Sequence, residues 1–367
     1  MSNYFNPVQI IKTNDWHSEL NKKLNDLGII KPVFITSQGN RKRLNLDNKY
    51  DSKSIFCDVE SNPNFDNCED VLQFCNNKMF DGVVALGGGS VMDLAKVVMA
   101  HLSLGLTDIF ELINYKEPYS QPTPSIFLPT THGTASEVTM WGTIWNMNEK
   151  KKYSISHPDL YPVIAILDGN LTLSLPMDLS IITAMDALSH SFESIWNKNA
   201  NSKSTDYAIT AICSILKNIK ALKNNPAGIA TRNKLLNAST VAGLAFSNTT
   251  TAAAHSMSYP LTIHYGIPHG VASSISLIPL LEINGSKIAN SLQRICRINE
   301  LTIDELKDAI YSIPQNIIPF TLDQWGVSAD HLPRLAEESF TKGRMDNNIV
   351  DLTDKDVLEI FTGLYSE

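Results

Sequence analysis

Apolar and polar positions follow two different rhythms along this chain. Before residue 175, short apolar runs recur, each closed by a loop: 29–37, 54–60, 82–86, 125–130 and 163–168. Runs of this length with few polar interruptions predict buried strands. Helical spacing through Val71, Leu72 and Cys75 predicts a helix over 66–78, and another opens directly after Gly89. Strands alternating with helices imply a parallel sheet with crossover helices. After Pro176 strand signals largely stop. Helical patterns follow at 178–195, 204–222, 229–246, 270–283 and 303–312. The pattern predicts an α/β domain over 1–175 and an all-helical domain over 176–367. A crevice between the halves is the expected place for a nucleotide and a metal.

Bulk properties narrow the function. The 367 residues suffice for two domains with a large core. A net charge of -8 argues against nucleic acid or an anionic membrane as a general partner. The start at Met1 lacks a basic segment followed by an apolar core, and no apolar run is long enough to span a bilayer. The five cysteines are odd in number and form no Cys-x-x-Cys pair, which argues against a disulfide framework or thiolate metal site. These features predict a cytoplasmic protein, and a homodimer is expected from how common two-fold assemblies are.

The chemistry concentrates at four side chains. Asp186 and His190 lie four apart in a stretch with helical apolar spacing through Ile182, Met185, Leu188 and Phe192. They therefore stack one turn apart on one face. His255 follows a run rich in Ala and Thr, and His269 sits between Pro268 and Gly270. A carboxylate with three neutral imidazoles suits Fe(II), Zn(II), Co(II) or Ni(II), and leaves a Lewis-acidic ion. A helix-face ion pair between Asp186 and His190 is the simpler alternative.

Gly87-Gly88-Gly89-Ser90 closes one predicted strand and opens a helix. Glycines let the backbone approach a bulky anion, and the helix start aims amide donors at it. Ser90 and Asp93 stand in a capping-box relation. A plain capped turn is the alternative, and the motif is not the Gly-x-Gly-x-x-Gly fingerprint. A second polar loop, Thr130-Thr131-His132-Gly133-Thr134, follows the next strand and offers hydroxyls and amides to a pyrophosphate or ribose.

Taken together, Gly-Gly-Gly-Ser-Val-Met-Asp, Pro-Thr-Thr-His-Gly-Thr-Ala-Ser-Glu-Val-Thr, Asp-Ala-Leu-Ser-His-Ser-Phe-Glu and His-Ser-Met-Ser-Tyr-Pro-Leu with Pro-His-Gly resemble the iron-dependent (group III) alcohol dehydrogenases. That family shares the fold of dehydroquinate synthase, with an α/β dinucleotide-binding domain and an all-helical domain. The resemblance implies that Asp186, His190, His255 and His269 bind Fe(II) or Zn(II). It assigns Gly88, Gly89, Ser90, Thr130, Thr131, Thr134 and Lys152 to the nucleotide, and Trp141 and Phe246 to the substrate pocket.

Within the family the chain looks most like phosphonoacetaldehyde reductases, through Lys152-Tyr-Ser-Ile-Ser-His-Pro-Asp-Leu-Tyr-Pro and Glu193-Ser-Ile-Trp-Asn-Lys-Asn-Ala-Asn. A phosphonate needs donors and positive charge, for which His132, Lys198 and His264 are candidates. A solvated helix end is the alternative for Lys198. Many members carry a second His four residues after the third ligand, as a proton relay. Tyr259 stands there, so His264, Tyr259 or water is expected to move the proton. Many NAD-preferring members have an acid where Ser37 stands. With Arg41 and Arg43 nearby, Ser37 predicts tolerance of NADPH, extending to preference over NADH; solvated loop charges are the alternative for the two arginines. The implied reaction is metal-dependent reduction of a small aldehyde to a primary alcohol, most specifically phosphonoacetaldehyde to 2-hydroxyethylphosphonate. A general dehydrogenase of uncharged short-chain alcohols, a dehydroquinate-synthase-like lyase and a metal-binding protein without turnover are the competing readings.

Overall fold

The computed structural model of the protein describes residues 4–149 and 151–365. Its contacts divide the chain into two compact units, Pro7–Thr131 with Ala135–Thr172, and Leu173–Glu367 with Met1–Asn6 and His132–Thr134.

Among its described residues the first unit holds eight strands: β1 (Gln9–Lys12), β2 (Pro32–Thr36), β3 (Ile55–Phe56), β4 (Gly82–Gly87), β5 (Ser125–Pro129), β6 (Trp141–Asn146), β7 (Lys151–Ser156) and β8 (Ile164–Leu167). Six form a parallel sheet in the order β1-β8-β5-β4-β2-β3, and β6 and β7 form an antiparallel pair. Val33, Ile35, Val83, Ala85 and Phe127 pack in one apolar cluster, while Phe34, Val84, Leu86, Ile126 and Leu128 pack in another. Successive residues of a strand face opposite sides, so a sheet covered on both faces requires continuous apolar runs. Those runs are the strands legible in the sequence. Strand β1 carries only two apolar residues and lies at the sheet edge. The β6–β7 pair mixes Trp, Thr, Lys and Ser. Neither gives a comparable signal.

Register sets the working end of this sheet. Thr36 pairs with Leu86, and Gly87 with Pro129. The chain therefore leaves β2, β4 and β5 side by side, at Ser37, Gly88 and Thr130. Ligands of open parallel sheets bind beyond these carboxyl ends.

The second unit is helical in its described residues. Met177–Ile195, Ser202–Asn224 and Ile229–Thr249 share one apolar cluster that includes Leu188, Phe192, Ile212, Leu235 and Ala242. The helix expected over 270–283 is instead two, His269–Ala272 and Leu277–Asn284. Ser274 between them bonds its hydroxyl back to the Gly270 carbonyl at 2.5 Å, a local alternative to helix continuation. Among the described residues, no helix is long and apolar enough to cross a membrane.

Candidate metal centre and nucleotide loops

The helix Met177–Ile195 presents Asp186, His190 and Glu193 at spacings of four and three, so all three share one buried face. His255 enters from the helix Ala253–Tyr265, and His269 opens the short helix His269–Ala272. That short helix lies against backbone. A Cβ on Gly270 would collide with the carbonyl of Ile182, one turn before Asp186. Glycine therefore permits the approach that brings His269 to Asp186.

Asp186 Oδ1 lies 3.6 Å from His255 Nε2 and 3.7 Å from His269 Nε2. One ligand atom from each of the three falls within 4.8 Å of the others. His190 stands beside this cluster: its Nδ1 is 4.0 Å from Asp186 Oδ2, and its ring stacks between Phe246 (4.1 Å) and His255 (4.4 Å). The four-member cage expected from the sequence is thus a cluster of three with a fourth imidazole adjacent.

Surrounding groups orient the three. Glu193, fully buried, accepts the His255 Nδ1–H at 2.5 Å and the His255 backbone N–H at 3.0 Å. That turns Nε2 toward Asp186. Ser273 donates its hydroxyl to Asp186 Oδ1 at 3.1 Å. Burial pushes the Asp186 carboxyl up, but His190, His269 and His255 together hold it well below the usual carboxylate range. Burial pushes His255 down. Glu193 and Asp186 outweigh it, raising the imidazole to about 10. Burial brings His190 to about 4 despite Asp186. His255 Nε2 and His190 Nδ1 are buried with no hydrogen-bond partner. Unsatisfied buried nitrogens facing an ionised carboxylate fit a borderline divalent cation.

The start of the His255 helix is clamped. Thr250 adopts φ +60°, a strained conformation for a β-branched residue. Asn347 Nδ2 donates to Thr250 Oγ1 and to the Thr251 carbonyl, both at 2.9 Å, and Asn197 Nδ2 to the Thr250 carbonyl at 3.2 Å. The run Trp196-Asn197-Lys198-Asn199 thus serves as scaffolding. Lys198 gives its ammonium to Asp351 at 2.6 Å and to the Asp346 carbonyl at 2.8 Å, so its charge is already neutralised. The pair is exposed and worth at most about 1 kcal/mol, so it weakens the argument for Lys198 as a phosphonate ligand.

His132 requires a similar correction. It is 1% exposed, and burial, followed by Arg232, holds its pKa down at about 3. The Thr183 hydroxyl donates to the Leu179 carbonyl at 2.8 Å, so the 3.3 Å contact with His132 Nδ1 is best made by the ring N–H. His132 then offers a neutral acceptor at Nε2, not positive charge. His264, nine residues after His255, points to the opposite side of their helix and bonds Glu338 at 2.5 Å. Tyr259, four residues after His255, shares the His255 face. Phe246 is buried on the stack with His190, and Trp141 is half-buried on β6.

In the sheet unit, Gly88 is the N-cap of the helix Gly89–Leu104 and supplies no side-chain cap. The capping box expected from Ser90 and Asp93 does not form. Ser90 Oγ accepts the Asn62 N–H at 3.1 Å, and Asp93 accepts the Ser136 hydroxyl at 3.0 Å. The first amides of the helix therefore have no side-chain cap. The Thr130 N–H donates to the Gly87 carbonyl at 3.0 Å, and a Cβ on Gly88 would come within 3.0 Å of Thr131. Thr134 belongs to the segment His132–Thr134 that clusters with the helical unit. Lys152 sits opposite Trp145 on the β6–β7 pair, its Nζ 5.8 Å from the ring centre.

Ser37 caps the helix Gln38–Arg43 by accepting the Asn40 N–H. Arg41 is paired with Asp47 at 2.6 Å, and Arg43 donates to the Leu171 carbonyl at 3.0 Å and to Asn40. Both guanidinium groups are occupied internally, which weakens the expectation of a 2′-phosphate site.

Glu193 and Ser273 were not singled out from the sequence. Glu193 was findable as the next member of the Asp186–His190 stripe. Ser273, four residues after His269, depends on the break in the helix pattern and gives no signal.

Two family models match the chain: iron-containing alcohol dehydrogenase over residues 7–169, and the C-terminal part of the Fe-containing alcohol dehydrogenase family over 180–365. The 1,3-propanediol dehydrogenase of Citrobacter freundii is 32% identical over 84% of this chain and 82% of its own length. An aldehyde-alcohol dehydrogenase of Streptococcus pneumoniae is 32% identical over 65% of this chain, a match spanning only 28% of that longer protein. Among solved structures, the sulfoacetaldehyde reductase of Bifidobacterium kashiwanohense in complex with NAD+ superposes with a TM-score of 0.90 at 27% identity, covering 100% of this chain and 99% of that one. A 1,3-propanediol oxidoreductase gives 0.90 at 26% identity over the full length of both. With matches along nearly its whole length and a buried carboxylate–imidazole cluster at its helical centre, the chain belongs to the iron-containing alcohol dehydrogenase family.

Proposed function

We propose that this protein interconverts a small aldehyde and its primary alcohol with NAD(H) and a divalent metal, Fe(II) or Zn(II). The observation that carries this reading is the cluster of buried Asp186 and His255 with half-buried His269, and His190 beside it. When bound, the metal supplies Lewis acidity toward a carbonyl oxygen, and the nicotinamide supplies the hydride.

The residues divide the remaining work. Asp186, His255 and His269 hold the ion, with His190 as the fourth ligand, and Glu193 keeps His255 in the tautomer that leaves Nε2 free. Ser37, Gly88, Gly89, Ser90, Thr130 and Thr131 stand at the carboxyl ends of adjacent strands and bind the nucleotide, with Thr134 and Lys152. Half-buried Asp93 braces the helix behind the glycine loop through Ser136. Phe246, stacked on His190, supplies an apolar wall beside the cluster, and Trp141 keeps the substrate role that the family resemblance gives it. The Tyr259 hydroxyl, on the His255 face, delivers the proton to the alcohol oxygen. His264 is bound to Glu338 and takes no part.

The paired state of Arg41 supports NADH as the preferred donor. Phosphonoacetaldehyde remains a second, finer reading. It rests on the sequence resemblance and on likeness to a sulfoacetaldehyde reductase, another acidic aldehyde enzyme, without support from Lys198 or His132.

The decisive experiment loads the protein with Fe(II) anaerobically and follows NADH oxidation against an aldehyde panel. Turnover that disappears in His269→Ala together with bound metal, while the fold persists, supports the proposal. Turnover without metal sinks it. Faster reduction of phosphonoacetaldehyde than of uncharged aldehydes of equal size decides for the finer reading, and the reverse order decides for a general dehydrogenase.

A further inference from the structure

A cavity of about 780 Å³ opens in the sheet unit at the amino ends of β2 and β4. Ser37 and Gly88 follow the carboxyl ends of the same strands, so this cavity and the nucleotide loops lie at opposite ends of the sheet. Its floor is apolar: Leu24, Ile29 and Phe34 are buried beneath it. Tyr50 lies against Phe34, ring centres 4.2 Å apart, and holds its hydroxyl on Asn21 at 3.2 Å. Ile30 and Met79 stand at its edge, 82% and 83% exposed, although both are large and apolar. Exposed side chains of this kind around a cavity mark a binding surface.

The rim is basic. Lys31, Lys49, Lys53 and Lys78 line it against a single lining carboxylate, Asp51, in a chain of net charge -8. Among the described residues, none of the four forms an ion pair. Lys78 bonds the Lys53 carbonyl at 3.1 Å, and Lys49 lies over the Trp16 ring. Two nearby carboxylates, Asp51 and Asp81, keep their charge but turn oxygens to backbone N–H groups rather than to these ammonium groups. Asp51 accepts the Lys53 N–H at 3.0 Å, and Asp81 accepts the N–H groups of Ile30 and Lys31 at 2.9 and 2.7 Å. An apolar, aromatic-walled cavity with uncompensated ammonium groups at its rim is complementary to one kind of occupant.

We propose that this cavity is a second small-molecule site, distinct from the nucleotide and metal loops, for a planar apolar anion: an aromatic body with one carboxylate, sulfonate or phosphate. The body lies on Phe34, Tyr50 and Phe80, and the acid meets Lys31 and Lys53.

The probe is 8-anilinonaphthalene-1-sulfonate, titrated by fluorescence into the full-length protein with and without saturating NADH. The expected result is saturable binding to one site, unchanged by NADH. It weakens at least tenfold in Lys31→Glu/Lys53→Glu and at least tenfold for the uncharged parent amine, while NADH-linked turnover is unchanged. Displacement of the dye by NADH overturns the proposal, because the dye then occupies the nucleotide site. Undiminished binding in the double variant overturns it too. So does a changed sedimentation coefficient in that variant, which would make the lysine rim an interface between copies of the chain.

Discussion

Glu193 holds His255 at two points, one carboxylate oxygen on the ring Nδ1–H at 2.5 Å and the other on the backbone N–H at 3.0 Å. The side chain therefore fixes both the position and the tautomer of a metal-facing imidazole. Glu193→Gln keeps the shape but weakens the charge-assisted bond. Metal affinity is expected to fall by about 10- to 100-fold, with turnover recovering in excess metal. Metal titration followed by activity measurement checks this, and an unchanged affinity would show that Glu193 serves packing alone.

Gly270 is the contact that seats His269. A methyl group there meets the Ile182 carbonyl with no flexible side chain to yield. Gly270→Ala is expected to cost about 1–3 kcal/mol of stability, as overpacking does, and to lower metal content at saturating Fe(II). Denaturant melts and metal analysis of the same preparation test both effects.

His132 stays neutral inside the protein, at about 3 against 6.5 for a free imidazole. The unfolded chain then binds more protons between those two values. Its contribution to stability is complete above pH 6.5 and is lost as pH falls toward 3, with a slope approaching about 1.4 kcal/mol per pH unit. Denaturation midpoints of wild type and His132→Gln from pH 4 to 8 should converge toward acid. Parallel curves would show that His132 does not titrate on unfolding.

Arg41 is neutralised by Asp47. The wild type is expected to show higher kcat/KM with NADH than with NADPH, and Asp47→Asn to raise the NADPH value several-fold by freeing the guanidinium. A wild-type preference for NADPH would show that the pair opens for a 2′-phosphate.

Lys96 is fully buried, and its three N–H donors are shared among four acceptors at 2.6–2.9 Å: the Ser136 carbonyl and hydroxyl, the Thr139 hydroxyl and the Trp141 carbonyl. It ties the glycine-loop helix to β6 beside half-buried Asp93. Lys96→Met leaves those acceptors and Asp93 uncompensated, a loss of about 3–5 kcal/mol, read in urea denaturation.

Features fixed by period and spacing were legible in the sequence. The buried strands announced themselves because both sheet faces are covered, and Asp186 and His190 because one helix face carries both. Features that depend on a distant partner were not. Nothing near Lys198 reveals Asp351, and nothing near Arg41 singles out Asp47 over solvent. The distinctive run at 196–199 invited a substrate role, yet its amides hold the turn at Thr249 and Thr250. The nine-residue offset of His264 from His255 did carry the answer, since that spacing reverses the helix face.

The strained turn at Thr250 is held by Asn347, nearly a hundred positions downstream. During synthesis Asp186, His190, His255 and His269 all leave the ribosome well before that asparagine does. A chain halted short of it would carry all four of these side chains but lack the latch that seats the His255 helix, so their arrangement waits on residues synthesised later.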